Sequence, residues 1–201
     1  MPVDSSEIHS RHVGAVRLSV DVVTRATAGD LRRDTPCTGW TLGDLLAHMI
    51  AQHHGFAVAA TGERTDVDKW RPRALAADPI TEYVQAADEV IHAYADPAVD
   101  DRDVWLPELS VERPFTGRDA MTFHFVDYVV HSWDVARALD IRLDIDADLV
   151  DHALAVAERV PTDPARRGPG FAFGPPVATS PDASKLDRAL AALGRSPSWP
   201  H

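Results

Sequence analysis

Three things are scarce in this sequence, and each scarcity removes a class of function. Cysteine is the first: Cys37 stands alone in 201 residues, so no internal disulfide can form and the fold relies on no oxidising compartment. Long apolar runs are the second. None approaches the roughly 18 residues a membrane span requires, and the first seven residues, Met1 to Glu7, are polar and acidic. The expectation is a cytoplasmic chain with no membrane partner. Positive charge is the third: 20 Lys and Arg stand against 31 Asp and Glu, for a net charge of -11 with histidine neutral. No Lys/Arg stripe reverses that balance locally, so a phosphate backbone is repelled and nucleic acid is excluded as a partner.

What remains is an ordinary globular composition, 45% hydrophobic and 25% charged, in a chain long enough for one domain with a substantial core. Ten histidines is a high count and a first hint of metal chemistry. Helical spacing runs through Ile8, Val13, Val16, Val20 and Val23, which predicts a first helix from Ser6 to Ala28 stopped by Gly29. Thr41 and Asp44 carry the reciprocal start signal in which each side chain can meet the other's backbone N–H. They predict a second helix from Leu42 to about Ala60, burying Leu45, Leu46, Met49, Ile50 and Phe56. A polar connection follows to Ala77, and Asp78-Pro79 opens a third helix from Ile80 to about Ala95.

Residues 96–114 read as irregular, with a short extended excursion around Val104-Trp105-Leu106. Thr116 and Asp119 repeat the start signal, and a fourth helix continues through Met121, Phe125, Tyr128, Val129 and Trp133 to about Leu139. A fifth fits Asp146 to Val160. Five prolines and three glycines between Pro161 and Pro176 predict an ordered loop or lid. A last short helix from Ala183 to Leu193 stops at Gly194 and is expected to dock on the bundle. The fold class is therefore all-α, a four-helix bundle over residues 1–160 with a Pro/Gly-rich tail over 161–201 in the same domain.

Bundle cores hold metal ligands that project from facing helices, so candidates can be sought by face. Asp127 and His131 are four residues apart, on one helical face and about 6 Å apart along the axis, and His124 lies three residues earlier on nearly the same face. On the second helix His48 sits among Leu45, Leu46 and Met49, where a neutral imidazole needs a polar partner or a metal. Spacing alone leaves the alternative open that Asp127 and His131 form a plain hydrogen-bonded pair and that His48 is a satisfied core residue. His53 and His54 read as surface or cleft residues; His9, His12, His92, His152 and His201 show no cluster logic.

Two segments carry a resemblance. Thr35-Pro36-Cys37-Thr38-Gly39-Trp40 through Asp44-Leu45-Leu46-Ala47-His48, and Asp127 through His131-Ser132-Trp133-Asp134-Val135-Ala136-Arg137-Ala138, resemble the conserved runs of the mycothiol-dependent maleylpyruvate isomerase N-terminal-like proteins. That family belongs to the DinB/YfiT-like helical-bundle metalloproteins. The ending, from Asp182 to Trp199, looks like a subgroup within it. The resemblance implies one divalent metal, zinc or nickel, held by His48, Asp127 and His131, with the middle ligand an Asp where Glu or His is usual. It leaves His124 as an additional or substitute ligand and Asp134 or Ser132 as groups that orient a ligand, Asp134 being the one on the face of His131. Apart from the resemblance, Trp40 and Trp133 read as lining the cleft or as core aromatics, and Arg137 as pairing with Asp134 or an anionic substrate.

The implied chemistry is that of an open metal position that binds mycothiol or a similar low-molecular-weight thiol and lowers its pKa, giving a transferase or isomerase acting on a small electrophile. Cys37 reads as a reactive thiol or a small residue in a tight turn. No catalytic acid or base is singled out. The isomerase proper carries an additional C-terminal domain where this chain has only the segment after Val160, so isomerisation of maleylpyruvate itself is not expected. A second function class is a non-catalytic metal-binding or small-ligand-binding protein, a sensor or stress-related scaffold. A third treats Asp127 and His131 as a polar pair in a bundle used for dimer contacts. Monomer and homodimer are both compatible with the sequence.

Overall fold

The structure is a computed structural model that describes residues 5–64, 66–168 and 171–200; His201 lies outside them. Among the described residues six α-helices carry the fold: α1 (Ser5–Val23), α2 (Leu42–Ala59), α3 (Pro79–Ala93), α4 (Gly117–Leu139), α5 (Ala147–Ala157) and α6 (Lys185–Ala192). The first four form the bundle, with α1 against α3 and α4, and α2 against α3 and α4. A two-stranded antiparallel ribbon, β1 (Asp103–Val104) with β2 (Phe115–Thr116), runs directly into α4. No helix among the described residues is long and apolar enough to cross a membrane.

The two helices that matter most begin as the sequence predicts. At α2 the Thr41 side chain accepts from the Asp44 N–H while Asp44 accepts from the Thr41 N–H, and Thr116 and Asp119 repeat the reciprocal cap at α4. Asp78 caps α3 ahead of Pro79. All five apolar residues expected to face inward from α2 are buried, as are Met121, Phe125, Tyr128, Val129 and Trp133 of α4. The outer ends differ. The first helix stops at Val23, five residues early, and the chain turns through Ala26 into a 3-10 turn at Asp30–Arg32. The polar connection after α2 is less solvated than its composition suggests. Trp70 is 1% exposed and lies against Gly55 and Phe56 of α2.

The segment after α5 returns across the bundle through α6, which packs on α5. Gly194 ends α6 at a φ of 83°, a left-handed conformation that glycine adopts without strain. Its N–H bonds Ala191 O and the Arg195 N–H bonds Leu190 O, the paired reverse bonds of a Schellman helix end. A Cβ at Gly194 would stand 2.7 Å from Gly174, so the two glycines also let two loop segments cross. This turn aims residue 195 back at α4.

Candidate metal centre

His48 from α2 and Asp127 and His131 from α4 converge, with one ligand atom from each lying within 4.8 Å of the other two. His131 Nε2 is 3.5 Å from Asp127 Oδ1, and the rings of His48 and His131 meet edge to face at 5.4 Å. His131 is buried, whereas His48 and Asp127 are half-buried at the edge of the bundle. Neither His48 nor Asp127 makes a hydrogen bond among the described residues.

Behind His131 stands a layer that fixes it. Its Nδ1 donates to Asp134 Oδ2 at 2.9 Å, which leaves Nε2 directed at Asp127 and His48. Asp134 is fully buried and also takes Arg195, with Nε at 3.1 Å from Oδ1 and Nη2 at 3.1 Å from Oδ2. The Cys37 thiol donates to the same Oδ2 at 3.3 Å, and Arg195 Nη2 stands 3.4 Å from the Cys37 sulfur. Arrangements of this kind, a carboxylate on the far nitrogen of a ligating histidine, set the ring's orientation and tautomer.

The electrostatics of the two histidines are opposed. Burial lowers the pKa of His48 to about 4, helped by repulsion from His131. Burial also works against charge on His131, but Asp127, Asp134 and Cys37 outweigh it and raise its pKa to about 10. His48 therefore offers a free lone pair at neutral pH, while His131 must give up a proton to ligate.

The loop before α2 supplies the remaining wall. Thr35 Oγ1 accepts from the Cys37 N–H and bonds the Trp40 carbonyl, Trp40 N–H closes on Cys37 O, and Gly39 takes a φ of 81° between them. The closed turn sets Trp40 over His48, ring centres 5.0 Å apart, and Cys37 behind His131. Trp40, 38% exposed, also lines a surface cavity of about 610 Å³ between this loop and Val177, Ser196 and Trp199 of the C-terminal segment. On the other side Gln52, one turn beyond His48, donates to Glu108 at 2.7 Å. Burial, with Asp127 nearby, raises the Glu108 pKa.

Several candidates lie elsewhere. His124 is outside the cluster: its Nδ1 pairs with His12 Nε2 at 3.0 Å and its Nε2 with His53 Nδ1 at 3.3 Å. His53, expected at the surface or in a cleft, is fully buried and stacks on Tyr128. The three imidazoles form one chain through the core, placed by residues 112 and 71 positions apart, a separation no local pattern reveals. Ser132 bonds the Tyr128 carbonyl. Trp133 is buried, with the Arg137 guanidinium over its ring. Arg137 does not reach Asp134 but donates to the Trp199 carbonyl. Asp134's cation is Arg195, which sequence reasoning did not assign; its one local signal is its position directly after the helix-stopping glycine.

Side chains on facing helices of a four-helix bundle can hold a metal ion in the core, and here such helices bring two histidines and a carboxylate together. Comparison with known proteins makes this specific. Residues 14–136 match the mycothiol maleylpyruvate isomerase N-terminal domain, and the chain belongs to that family. It is also 27% identical, over 180 residues covering 87% of this chain and 90% of theirs, to two uncharacterised Mycobacterium tuberculosis proteins. One is from strain CDC 1551 / Oshkosh and the other from strain ATCC 25618 / H37Rv. No solved structure matches the chain at a significant level.

Proposed function

We propose that this protein binds one divalent metal, zinc or nickel, through His48, Asp127 and His131, and uses it in thiol-dependent transfer or isomerisation of a small electrophile. The observation that carries the reading is the gap in an otherwise satisfied polar network. Asp134, Arg195, Cys37, Gln52 and Glu108 around the cluster all hold hydrogen-bond partners, while His48 and Asp127 hold none. Among the described residues Asp127 faces only the His131 ring, as an ion pair at 3.5 Å, and the two nitrogens with one carboxylate oxygen form a donor set suited to zinc or nickel.

An ion with three protein ligands keeps a position for a thiol and lowers its pKa, which is the chemistry the group supplies when bound. The chain's own residues do the rest. Asp134 holds the His131 ring, and Trp40 covers one side of His48 and shields it from water. The cavity beside Trp40 has room for the non-reacting part of a small molecule, and the Glu108 carboxyl, held by Gln52, can hold or release a proton at the opposite edge.

Elemental analysis of untagged protein tests the reading. About one equivalent of metal is expected, lost in His48→Ala and His131→Ala, and thiol-dependent turnover of an electrophile should cease on chelation. Metal-free protein from a metal-replete preparation refutes it.

A further inference from the structure

We propose that Arg195 is a positioning residue for this centre: from the C-terminal segment, it holds the Asp134 carboxylate in the orientation that aims His131 Nε2 at Asp127 and His48. The inference rests on the metal reading above and adds to it a long-range dependence of the three ligands on a residue outside the helices that carry them.

The geometry is a short chain of contacts. Asp134 lies three residues beyond His131 on α4, is wholly removed from solvent, and turns Oδ2 to His131 Nδ1 at 2.9 Å. Its two oxygens are gripped from the other side by the Arg195 fork, Nε on Oδ1 and Nη2 on Oδ2, both at 3.1 Å. Among the described residues no other lysine or arginine touches this carboxylate. A carboxylate inside a protein needs a paired charge and filled acceptor sites to stay put, and a planar guanidinium that meets both oxygens fixes its rotation as well as its charge. A lysine at the same place would supply the charge without the fork.

The backbone around Arg195 is built to deliver it. The Schellman turn after α6 bonds the Arg195 N–H to Leu190 O, and the close crossing of Gly194 on Gly174 admits no side chain there. Four residues further on, the Trp199 carbonyl accepts from Arg137, one turn past Asp134 on α4. The segment is thus stapled to α4 twice, but only the Arg195 staple touches the group that orients a ligand. This separates a positioning role from simple docking of the tail.

The test measures Zn²⁺ affinity by competition with a chromophoric chelator, and the visible absorption of Co²⁺-loaded protein, in wild type, Arg195→Gln, Arg195→Lys and Arg137→Gln. Loss of a group that orients a metal ligand costs about 10- to 100-fold in affinity. Arg195→Gln is expected to fall in that range with an altered Co²⁺ spectrum, Arg195→Lys to recover part of the loss, and Arg137→Gln to stay within about threefold of wild type. The double variant Asp134→Asn/Arg195→Gln leaves no unpaired buried charge and serves where the single variant does not fold. It should bind Zn²⁺ about 10- to 100-fold more weakly than wild type, and no more weakly than Asp134→Asn alone. Wild-type affinity and spectrum in Arg195→Gln, or in the double variant, overturn the inference. An equal loss in Arg137→Gln overturns it too, because docking of the segment would then suffice. Wild-type protein that takes up neither Zn²⁺ nor Co²⁺ defeats the metal reading itself, and the inference falls with it.

Discussion

Acidification should destabilise this protein well before its carboxylates titrate, because three histidines are kept neutral in the core. His12 is 1% exposed, His53 and His124 are fully buried, and the hydrogen-bonded chain that joins them contains no carboxylate. Burial, helped by repulsion from His9, lowers the His12 pKa to about 3; burial also pushes His53 and His124 well down. In the unfolded chain each titrates near its ordinary value of about 6.5. Below that value the unfolded state therefore binds more protons than the folded one, so folding stability falls as pH drops from about 6.5 towards the folded-state value. For His12 alone, lowering the pH from 7 to 5 removes about 2 kcal/mol, and His53, His124 and, in the metal-free protein, His48 act in the same direction. His131 opposes them weakly: its raised pKa adds about 1 kcal/mol of stability to the metal-free protein over the same interval. Against a total stability of about 5–15 kcal/mol for such a domain, the net loss is large. Urea unfolding of chelator-treated protein, followed by far-ultraviolet circular dichroism at pH 7 and pH 5, measures it directly. The His12→Gln variant should show a pH dependence shallower by about 2 kcal/mol. Wild-type stability at pH 5 within about 1 kcal/mol of that at pH 7 would refute the reasoning.

Three further outcomes are expected. Zn²⁺ binding at pH 7 should release about one proton, from His131 and not from His48, given their metal-free pKa values of about 10 and about 4; calorimetry in buffers of different ionisation enthalpy counts it, and zero or two excludes the proposed protonation states. Gly55→Ala should destabilise by about 1–3 kcal/mol in thermal unfolding, despite a helix-propensity gain of nearly 1 kcal/mol, because a Cβ there meets the buried Trp70 ring at 2.5 Å. An unchanged or raised melting temperature would show that Trp70 moves aside freely. Thr41→Ala removes the α2 cap and should cost about 0.5–2 kcal/mol by urea unfolding, whereas no change would mean that water replaces the cap.

The bundle was legible because its signals are local. Thr41 with Asp44, Thr116 with Asp119, and Asp78 before Pro79 act over three residues, and the apolar stripes of α2 and α4 repeat every turn. The pairing of Asp127 and His131 was legible for the same reason, and the family segments supplied His48 from the facing helix. What stayed hidden depends on long separations. Arg195 reaches Asp134 across 61 residues and His12 reaches His124 across 112, and no periodicity encodes either meeting. The spacing of His124 from Asp127 suggested a shared site, yet the same face of α4 serves different partners at different heights. The burial of Trp70 stayed hidden for a related reason: its neighbours in sequence are polar, but a Cβ-free position, Gly55 on another element, makes room for its ring.

That face of α4 also explains why the centre lies where it does. His124, Asp127, His131 and Asp134 follow one another at three- and four-residue steps, a stripe about 15 Å long on one side of the helix. Each inward polar group needs a partner, because desolvation without one is costly. His124 is answered by His12 and His53, and Asp134 by Arg195, Cys37 and His131. At the middle of the stripe Asp127 makes no hydrogen bond among the described residues and faces His131 Nε2 at 3.5 Å. There the charges converge as well: two carboxylates flank His131 and raise its proton affinity, while His48 across the gap is kept neutral by burial. A site that stabilises a proton on His131 through negative charge stabilises a divalent cation by the same field, and more strongly by virtue of its second charge. The negative charge of Asp127 and Asp134 beside His131 therefore favours a divalent cation that displaces the His131 proton, and a core chain of histidines without carboxylates, such as His12, His124 and His53, offers no such field.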